Sequence, residues 1–527
     1  MTKGIDKYSI DSTDYTVGQD NVQKWGFDVH NPVFGMSAGI MVLLIAVLVF
    51  LDANTAKSAL DSIKWGIINQ FDDLFMWSGN FFLLFCIVLV LSPFGKIRIG
   101  GLEAKPEFSN LSWMAMLFAA GMGIGLLFWG VAEPMAYFTG WYETPLGVEA
   151  NTEEAIKVAL GATLYHWGFN AWAMYAVVAL SLAFFAYNKG LPLSIRSIFY
   201  PILGDRAWGW FGHVIDILAV LATIFGLAPS LGLGAQQITS GINYVFGTDG
   251  GLTTQMIIIA FVTALATFSV YRGLEGGVKL LSNINIIVAV ALLIFVILVT
   301  LDTSPHYMVL TAIGYIENFI PLSNPIGRED ELWMHGWTVF YWAWWISWSP
   351  FVGMFIARVS KGRTIREFVV AVIIVPTLVT LVWMGTFGGV AIDQVFNKIG
   401  ELGAHGLSDV SLALFHLYDS LPLSTAISLL SMVLIMVFFV TSSDSGSLVI
   451  DSITAGGKVD NPVPQRVFWA VIEGAIAAVL LYIGGAEALQ ALQAGVIATA
   501  LPFTVVLILM CISLTMGLST EPRGDYR

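Results

Sequence analysis

Residues 119 to 125 read Ala119-Ala120-Gly121-Met122-Gly123-Ile124-Gly125, in the middle of an apolar run from about 111 to 137, and are followed by Gly130 and the pair Glu133-Pro134. A helix of about 20 apolar residues crosses the hydrocarbon core of a bilayer, so the run is long enough to be a membrane span. Glycine costs a helix interior about 1 kcal/mol relative to alanine, and three at alternate positions predict a span that unwinds or packs very closely in its middle. Small-residue packing between membrane helices would account for them. So would a ligand cavity, because unwound backbone at membrane depth is tolerated only where it is buried or lines a cavity, and transporters place substrate and ion sites there.

The rest of the chain reads the same way. Of 527 residues, 57% are hydrophobic without counting glycine and 12% are charged, and the mean hydropathy is +0.78; soluble chains carry about 25% charged residues. This is the composition of a polytopic, all-α integral membrane protein. It excludes a soluble enzyme, a nucleic-acid binder, a disordered scaffold and a secreted disulfide protein. Apolar runs predict spans at 33–51, 72–92, 111–137, 157–187, 212–238, 253–270, 280–301, 337–359, 367–390, 424–450, 466–484 and 490–516. With twelve transmembrane helices both termini share a side. Of the 24 lysines and arginines, five (Lys57, Lys64, Lys157, Arg328 and Lys398) fall on the other side and nineteen on the side of the termini, which should therefore be cytoplasmic. The polar start, 1–31, has no apolar core near its beginning and does not read as a signal peptide. The organisation expected is a cytoplasmic segment 1–31, a transporter-type membrane domain 32–517 and a short cytoplasmic tail 518–527. Residues 302–336, with an amphipathic stretch from Met308 to Phe319, and residues 391–423 read as short surface helices outside the membrane.

Two further stretches depart from a plain lipid-facing helix. In the eighth span, at 100° per residue and with Trp344 at zero, Trp337 falls at about 20°, Trp348 at about 40°, Tyr341 at about 60° and Trp345 at about 100°. Trp333 and Trp337 suit an interfacial belt, but Trp344, Trp345 and Trp348 lie about ten residues inside the span. The fourth span offers Trp167, Trp172 and Tyr175 within an arc of about 140° by the same arithmetic. Two facing aromatic sets make a box, a recurring site for quaternary ammonium groups, whose diffuse charge is drawn to ring faces without a hydrogen bond. The other stretch, Phe438-Phe439-Val440-Thr441-Ser442-Ser443-Asp444-Ser445-Gly446-Ser447, predicts a hydroxyl-rich break at the end of the tenth span. Freed carbonyls and hydroxyls there could ligate sodium, or the hydroxyls could bond back to their own helix. The seven histidines lack metal-site spacing and Cys86 and Cys511 lie far apart in apolar runs, so neither a metal centre nor a disulfide is expected. Asp216, Glu133 and Glu473 are acids at or near membrane depth, candidates for coupling or for ties between helices.

Three segments carry a family resemblance. They are Gly121-Met122-Gly123-Ile124-Gly125-Leu126-Leu127-Phe128-Trp129-Gly130 with Glu133-Pro134; Phe340-Tyr341-Trp342-Ala343-Trp344-Trp345-Ile346-Ser347-Trp348-Ser349-Pro350-Phe351 with Arg358, Gly362, Arg363 and Arg366; and Thr441-Ser442-Ser443-Asp444-Ser445-Gly446-Ser447. From about residue 30 to 515 the chain resembles the betaine/carnitine/choline transporter (BCCT) family. The resemblance implies twelve helices forming two inverted five-helix repeats (LeuT-like), about 111–301 and 337–516, preceded by two extra helices. It also implies a homotrimer in the bacterial inner membrane that imports compatible solutes by alternating access. By that resemblance the substrate cation would sit among Trp167, Trp172, Tyr175, Trp344, Trp345 and Trp348, near the Met122, Gly123 and Gly125 backbone. One co-transported sodium ion would lie between the carbonyls of Ala119, Met122 and Phe438 and the hydroxyls of Thr441 and Ser442.

Choline-carrying members resemble one another in an aspartate near the third glycine; Gly125 stands there, which favours a zwitterion bearing its own carboxylate. Leu227 stands where a second threonine of a second sodium site is expected, which puts a two-sodium stoichiometry in doubt. The long basic C-terminal helix of the osmosensing members is not seen, so little osmotic activation of that kind is expected. The expected function is sodium-coupled uptake of glycine betaine or dimethylsulfoniopropionate, small zwitterions, by a protein set in a lipid bilayer and without a nucleic-acid partner. A sodium-independent carnitine-type exchanger and a proton-coupled choline-type transporter are the alternatives. An intramembrane enzyme would need a nucleophile or metal ligands at depth, and a channel a continuous polar stripe; neither pattern is present.

Overall fold

Inside a bilayer a long apolar segment satisfies its own N–H and C=O groups by closing them into a helix, and the chain is mostly helical. The computed structural model describes residues 13–121, 123–272 and 278–521. Among the described residues, fifteen helices have twelve residues or more: α1 (Asn31–Phe50), α2 (Ala53–Leu91), α3 (Asn110–Gly121), α4 (Ile124–Thr139), α5 (Glu153–Trp167), α6 (Phe169–Tyr187), α7 (Trp210–Phe246), α8 (Leu252–Arg272), α9 (Val278–Val299), α10 (Ser304–Ser323), α11 (Phe340–Val359), α12 (Ile365–Phe396), α13 (Ser424–Thr454), α14 (Val463–Gly484) and α15 (Ala488–Ser519). Nine spans among the described residues are long and apolar enough to cross a membrane, α5 with α6 counting as one of them. The expected third span is divided between α3 and α4. The expected eighth enters through a π-helical turn at Met334–Val339 that runs directly into α11.

Boundaries shift where polar sequence continues a helix beyond the apolar core. The second span, expected from 72, begins at Ala53, and its 39 residues make a rod of about 58 Å at 1.5 Å per residue, nearly twice the thickness of the hydrocarbon. Asp52 starts it by accepting from the Thr55 amide at 3.1 Å, a cap worth about 1 kcal/mol. The first turns carry Lys57, Asp61 and Lys64, so the extension lies before the apolar stretch. The amphipathic stretch of 302–336 forms α10, bent by 109° from the preceding segment Asn283–Val299. Its buried residues Ser304, Tyr307, Thr311, Gly314, Tyr315 and Leu322 make one stripe at intervals of three, four and seven. That stripe packs on α5 backbone to backbone: a Cβ on Gly314 would lie 2.1 Å from the Lys157 carbonyl oxygen, and one on Gly161 would lie 2.4 Å from the Gly314 carbonyl. Short helices at Gly400–His405 and Ala413–Asp419 occupy the expected surface segment 391–423.

The N-terminal segment is built into the protein. Strands β1 (Asn21–Lys24) and β2 (Phe27–His30) pair antiparallel through a two-residue turn at Trp25-Gly26, both at positive φ (53° and 79°), the backbone that matches the twist of a tight hairpin. The Asn21 side chain donates to Asp28 and to the Ala455 carbonyl, both at 3.0 Å. The Asp28 amide donates to Gln465 at 2.9 Å, and its carboxylate pairs with Lys458. A second anchor surrounds Arg196, which donates to the Tyr15 hydroxyl at 2.9 Å and to His30 Nε2 at 3.2 Å and forms an ion pair with Asp216 at 3.3 Å. Tyr15 stacks on Trp208 with ring centroids 4.2 Å apart.

Burial, the Arg196 charge and the neighbouring His213 ring push the His30 imidazole down to about 3. Unfolded histidine takes a proton near pH 6.5, so between about pH 6.5 and 3 the released segment binds a proton that the docked one does not. The docking it contributes is complete above pH 6.5 and is lost as pH falls through that window. Protease cleavage within residues 13–30 of the reconstituted protein should accelerate as pH drops from 7 to 5, and His30→Asn should flatten the pH dependence.

Candidate functional site: an aromatic cavity at a broken helix

The glycine run does break its helix. α3 ends at Gly121, and α4 begins at Ile124 after Gly123, whose backbone is extended (φ −168°, ψ −168°). Met122 lies outside the described residues. The N-terminal end of α4 supplies Gly123, Ile124, Gly125 and Leu126 to one wall of a cavity of about 40 Å³, and the remaining walls are Trp167, Tyr175, Ser230, Trp344, Trp345 and Trp348. Gly125 is required by its neighbours: a Cβ there would stand 2.8 Å from Trp167 Cη2 and 3.5 Å from Trp344 Cη2. The first amides of a helix lack intrahelical acceptors, so this wall also presents the positive end of a helix to the cavity.

The rings meet largely edge to face, the arrangement their quadrupoles favour. Centroids lie 5.2 Å apart for Trp167 and Trp345, 5.3 Å for Tyr175 and Trp345, 6.3 Å for Trp167 and Trp344 and 6.4 Å for Trp344 and Trp345. Trp344 and Trp348 are fixed from α7: both indoles donate to the Gly226 carbonyl, Trp344 at 3.0 Å. Residue 226 must be small, because a Cβ there would approach Trp348 Cδ1 to 2.7 Å and the Ser347 carbonyl carbon to 3.0 Å.

Five of the six expected cage residues, with Gly123 and Gly125, surround this cavity. Trp172 does not: its ring packs edge-on behind Tyr175 at 5.4 Å. The expected arc assumed one continuous fourth span, and the chain instead breaks at Gly168 (φ −105°, ψ −136°), directly after Trp167. α6 therefore starts at a new rotation. The Phe169 amide is satisfied there by the Tyr315 hydroxyl at 3.1 Å.

The hydroxyl-rich segment is corrected too. Expected as a break, it is continuous helix throughout α13. Its side chains bond within the protein: Thr441 to the carbonyls of Val437 at 3.0 Å and Phe438 at 3.2 Å, Ser443 to Glu473 at 3.0 Å and Ser447 to the Asp444 carbonyl at 2.9 Å. Of the expected ion ligands, Ala119 stands in the last turn of α3, while Phe438, Thr441 and Ser442 follow one another along α13.

Ser230, the Gly226 carbonyl and the surroundings of Glu133 escape a reading by motif. Of the three acids at depth, Asp216 ties to Arg196 and Glu473 to Ser443, and Glu133 reaches the cage itself by accepting from the Trp167 indole at 2.7 Å. Toward the C-terminal end of α4 a wider chamber of about 670 Å³ is lined by Lys64, Trp141, Tyr142, Trp337, Asp409 and Gln490 among others. Trp337, which lines the chamber, and Trp344, which lines the cage, stand on one helical run with the buried Tyr341 between them.

A model of the BCCT, betaine/carnitine/choline family transporters, matches residues 32–523. The chain is 70% identical to a glycine betaine/proline/choline/ectoine transporter of Vibrio parahaemolyticus, over 99% of this chain and 93% of that one. It is 69% identical to glycine betaine transporter 1 of the same organism, over 99% and 100%, and 44% identical to the glycine betaine transporter OpuD of Bacillus subtilis, over 87% and 88%. A family match that spans the membrane helices, the broken helix and every wall of the aromatic cavity means that the chain belongs to the betaine/carnitine/choline transporter family, and that its work is transport and not catalysis.

Proposed function

We propose that the protein imports a small zwitterion with a quaternary ammonium or sulfonium head, glycine betaine first and dimethylsulfoniopropionate next, coupled to sodium and by alternating access. The single observation that carries this reading is the pairing of opposite characters in one cavity. Indole faces offer electron density to a diffuse cation without requiring a hydrogen bond, and across from them the start of α4 offers amides to a carboxylate. A trimethylammonium or dimethylsulfonium carboxylate matches both ends. The names of the relatives support it: all three carry glycine betaine, and one adds proline, choline and ectoine.

The remaining parts of the proposal follow the family. Twelve spans in two inverted five-helix repeats would make the third and eighth spans equivalent, and both depart from regular helix, one at Gly123 and the other at Met334–Val339. Alternating access comes with the family; beside it stands the difference in size between the aromatic cavity, about 40 Å³, and the chamber, about 670 Å³. For sodium, the α3 carbonyls near Ala119 lose their i+4 amides at the break, and Thr441 and Ser442 on α13 would add hydroxyl oxygens. The Thr441 hydroxyl gives its proton to the Val437 and Phe438 carbonyls and keeps its oxygen lone pairs for the ion. The family-type homotrimer in the inner membrane with cytoplasmic termini belongs to the same proposal.

Trp345→Ala removes the ring that touches Trp167, Tyr175 and Trp344. In proteoliposomes it should raise the KM for glycine betaine at least tenfold while leaving the protein folded and inserted; unchanged kinetics would remove the cage from the mechanism. An inward sodium gradient should drive accumulation of labelled glycine betaine above equilibrium. Thr441→Ala should weaken the sodium dependence of that uptake more than the apparent substrate affinity at saturating sodium. Uptake that ignores sodium and requires internal substrate would identify an exchanger instead.

A further inference from the structure

Glu133 is fully buried, and its environment is made almost wholly of donors. One carboxylate oxygen accepts from the Tyr137 hydroxyl at 2.8 Å and from His166 Nδ1 at 3.0 Å; the other accepts from the Trp167 indole at 2.7 Å and from the Tyr341 hydroxyl. Four converging donors complement the four lone-pair sites of a carboxylate anion and leave no place for a proton of its own. His166 is held between the Tyr341 ring, at 4.6 Å and 16°, and the Trp333 ring, at 5.4 Å and 24°. Its other nitrogen meets the Thr338 hydroxyl at 2.9 Å. His166 Nδ1 also lies 2.9 Å from the Tyr137 hydroxyl oxygen; a neutral imidazole with its proton on Nδ1 donates toward Glu133 and Tyr137 and accepts from the Thr338 hydroxyl at its other nitrogen, while Tyr137 gives its own proton to Glu133. Among the described residues no lysine or arginine forms an ion pair with Glu133. With the imidazole neutral in this way the cluster carries one net negative charge, at a depth where charge is expensive and is retained for a use.

That charge has an outlet. Trp167, which Glu133 holds by its N–H, is the ring that lies against Gly125 and packs on Trp344 and Trp345. An indole N–H donating to a carboxylate gains electron density in its ring, and the ring face becomes a stronger partner for a cation. Gly125 itself offers no countercharge, and the indole leaves no space for a side chain there. We propose that Glu133 is a positioning residue of the transport site, orienting the Trp167 indole and lending the cage the fixed negative charge that favours a quaternary cation. This rests on the reading that the cage takes such a cation.

The test compares two ligands of one shape on the purified, full-length protein in lipid nanodiscs: glycine betaine and its carbon isostere tert-butylacetate, which replaces the charged nitrogen by neutral carbon. The ratio of their dissociation constants measures recognition of the cation alone. Wild-type protein should prefer glycine betaine, and Glu133→Gln should reduce the preference about tenfold, the scale of a unit charge acting across roughly one indole at protein dielectric. A merely structural role would weaken both ligands together and leave the ratio unchanged, and that result overturns the inference. Should Glu133→Gln fail to fold, as read by its thermal melt, Trp167→Phe carries the test. It keeps a ring but cuts the link to the carboxylate, and an unaltered ratio in that variant overturns the inference equally. A wild type that binds both ligands alike overturns the cage reading and the inference with it, a result distinguishable from a wild-type preference that survives Glu133→Gln.

Discussion

A backbone amide or carbonyl inside a bilayer has no water to turn to, and each one left unpaired costs several kcal/mol. This constraint decides where the chain can stop being helical. The departures at Gly123 and Gly168 both adjoin the aromatic cavity, but they meet the constraint differently. At Gly168 the displaced Phe169 amide is taken up by the Tyr315 hydroxyl from α10, so that break is closed within the protein. At Gly123 the chain lies against the cavity, and a Cβ there would meet nothing within 4 Å. One break is a joint in the scaffold. The other leaves polar backbone facing the place where a solute would sit.

The cage follows from these breaks. Rings as large as indole come within contact of two backbones only because Gly125 and Gly226 lack side chains. Each glycine therefore does two things: it relaxes the helix or admits a neighbour, and it fixes how closely an indole approaches. The carbonyl of Gly226 anchors Trp344 and Trp348 by their N–H groups, and the carboxylate of Glu133 anchors Trp167 by its own. Three of the cavity's four indoles are thus held at their polar edge by acceptors, which keeps the N–H groups satisfied and turns the ring bodies inward.

What could be read in the sequence divides along helical continuity. The long apolar runs announce a membrane protein, and the alternate glycines announce a break, because both are local properties. Trp344, Trp345 and Trp348 fall as the 100° arithmetic requires, since all three lie on the unbroken α11. Trp172 does not, because the chain breaks at Gly168 between it and Trp167, and one glycine in an otherwise helical run does not declare itself a hinge. The composition of Thr441 to Ser447 suggests a break, yet composition is silent on where a hydroxyl bonds, and Thr441 and Ser447 bond their own helix while Ser443 bonds Glu473. Glu133 stood out as an acid at depth. Its role was invisible because its partners come from α5, α11 and its own next turn, at separations of 4, 33, 34 and 208 residues, which no spacing rule connects.

The same connections bear on how a transport cycle would move. A hydrogen bond to a charged group is worth about 1.5 to 3 kcal/mol, more than a neutral one, so the carboxylate of Glu133, with donors from all three, ties α4, α5 and α11 together. A motion that separated these helices would strip donors from a buried anion. α7 meets the same cage through the Gly226 carbonyl, which accepts from Trp344 and Trp348 in neutral hydrogen bonds of about 1 kcal/mol net each. The inequality sets the order of yielding. In the proposed cycle the seam between α11 and α7 would part before the joints held by Glu133, and Trp167, Tyr341 and α4 would travel together. A cation held among these rings would therefore keep its Trp167 face while its surroundings on the α7 side change, so that in the proposed cycle the α7 side would be where the solute leaves.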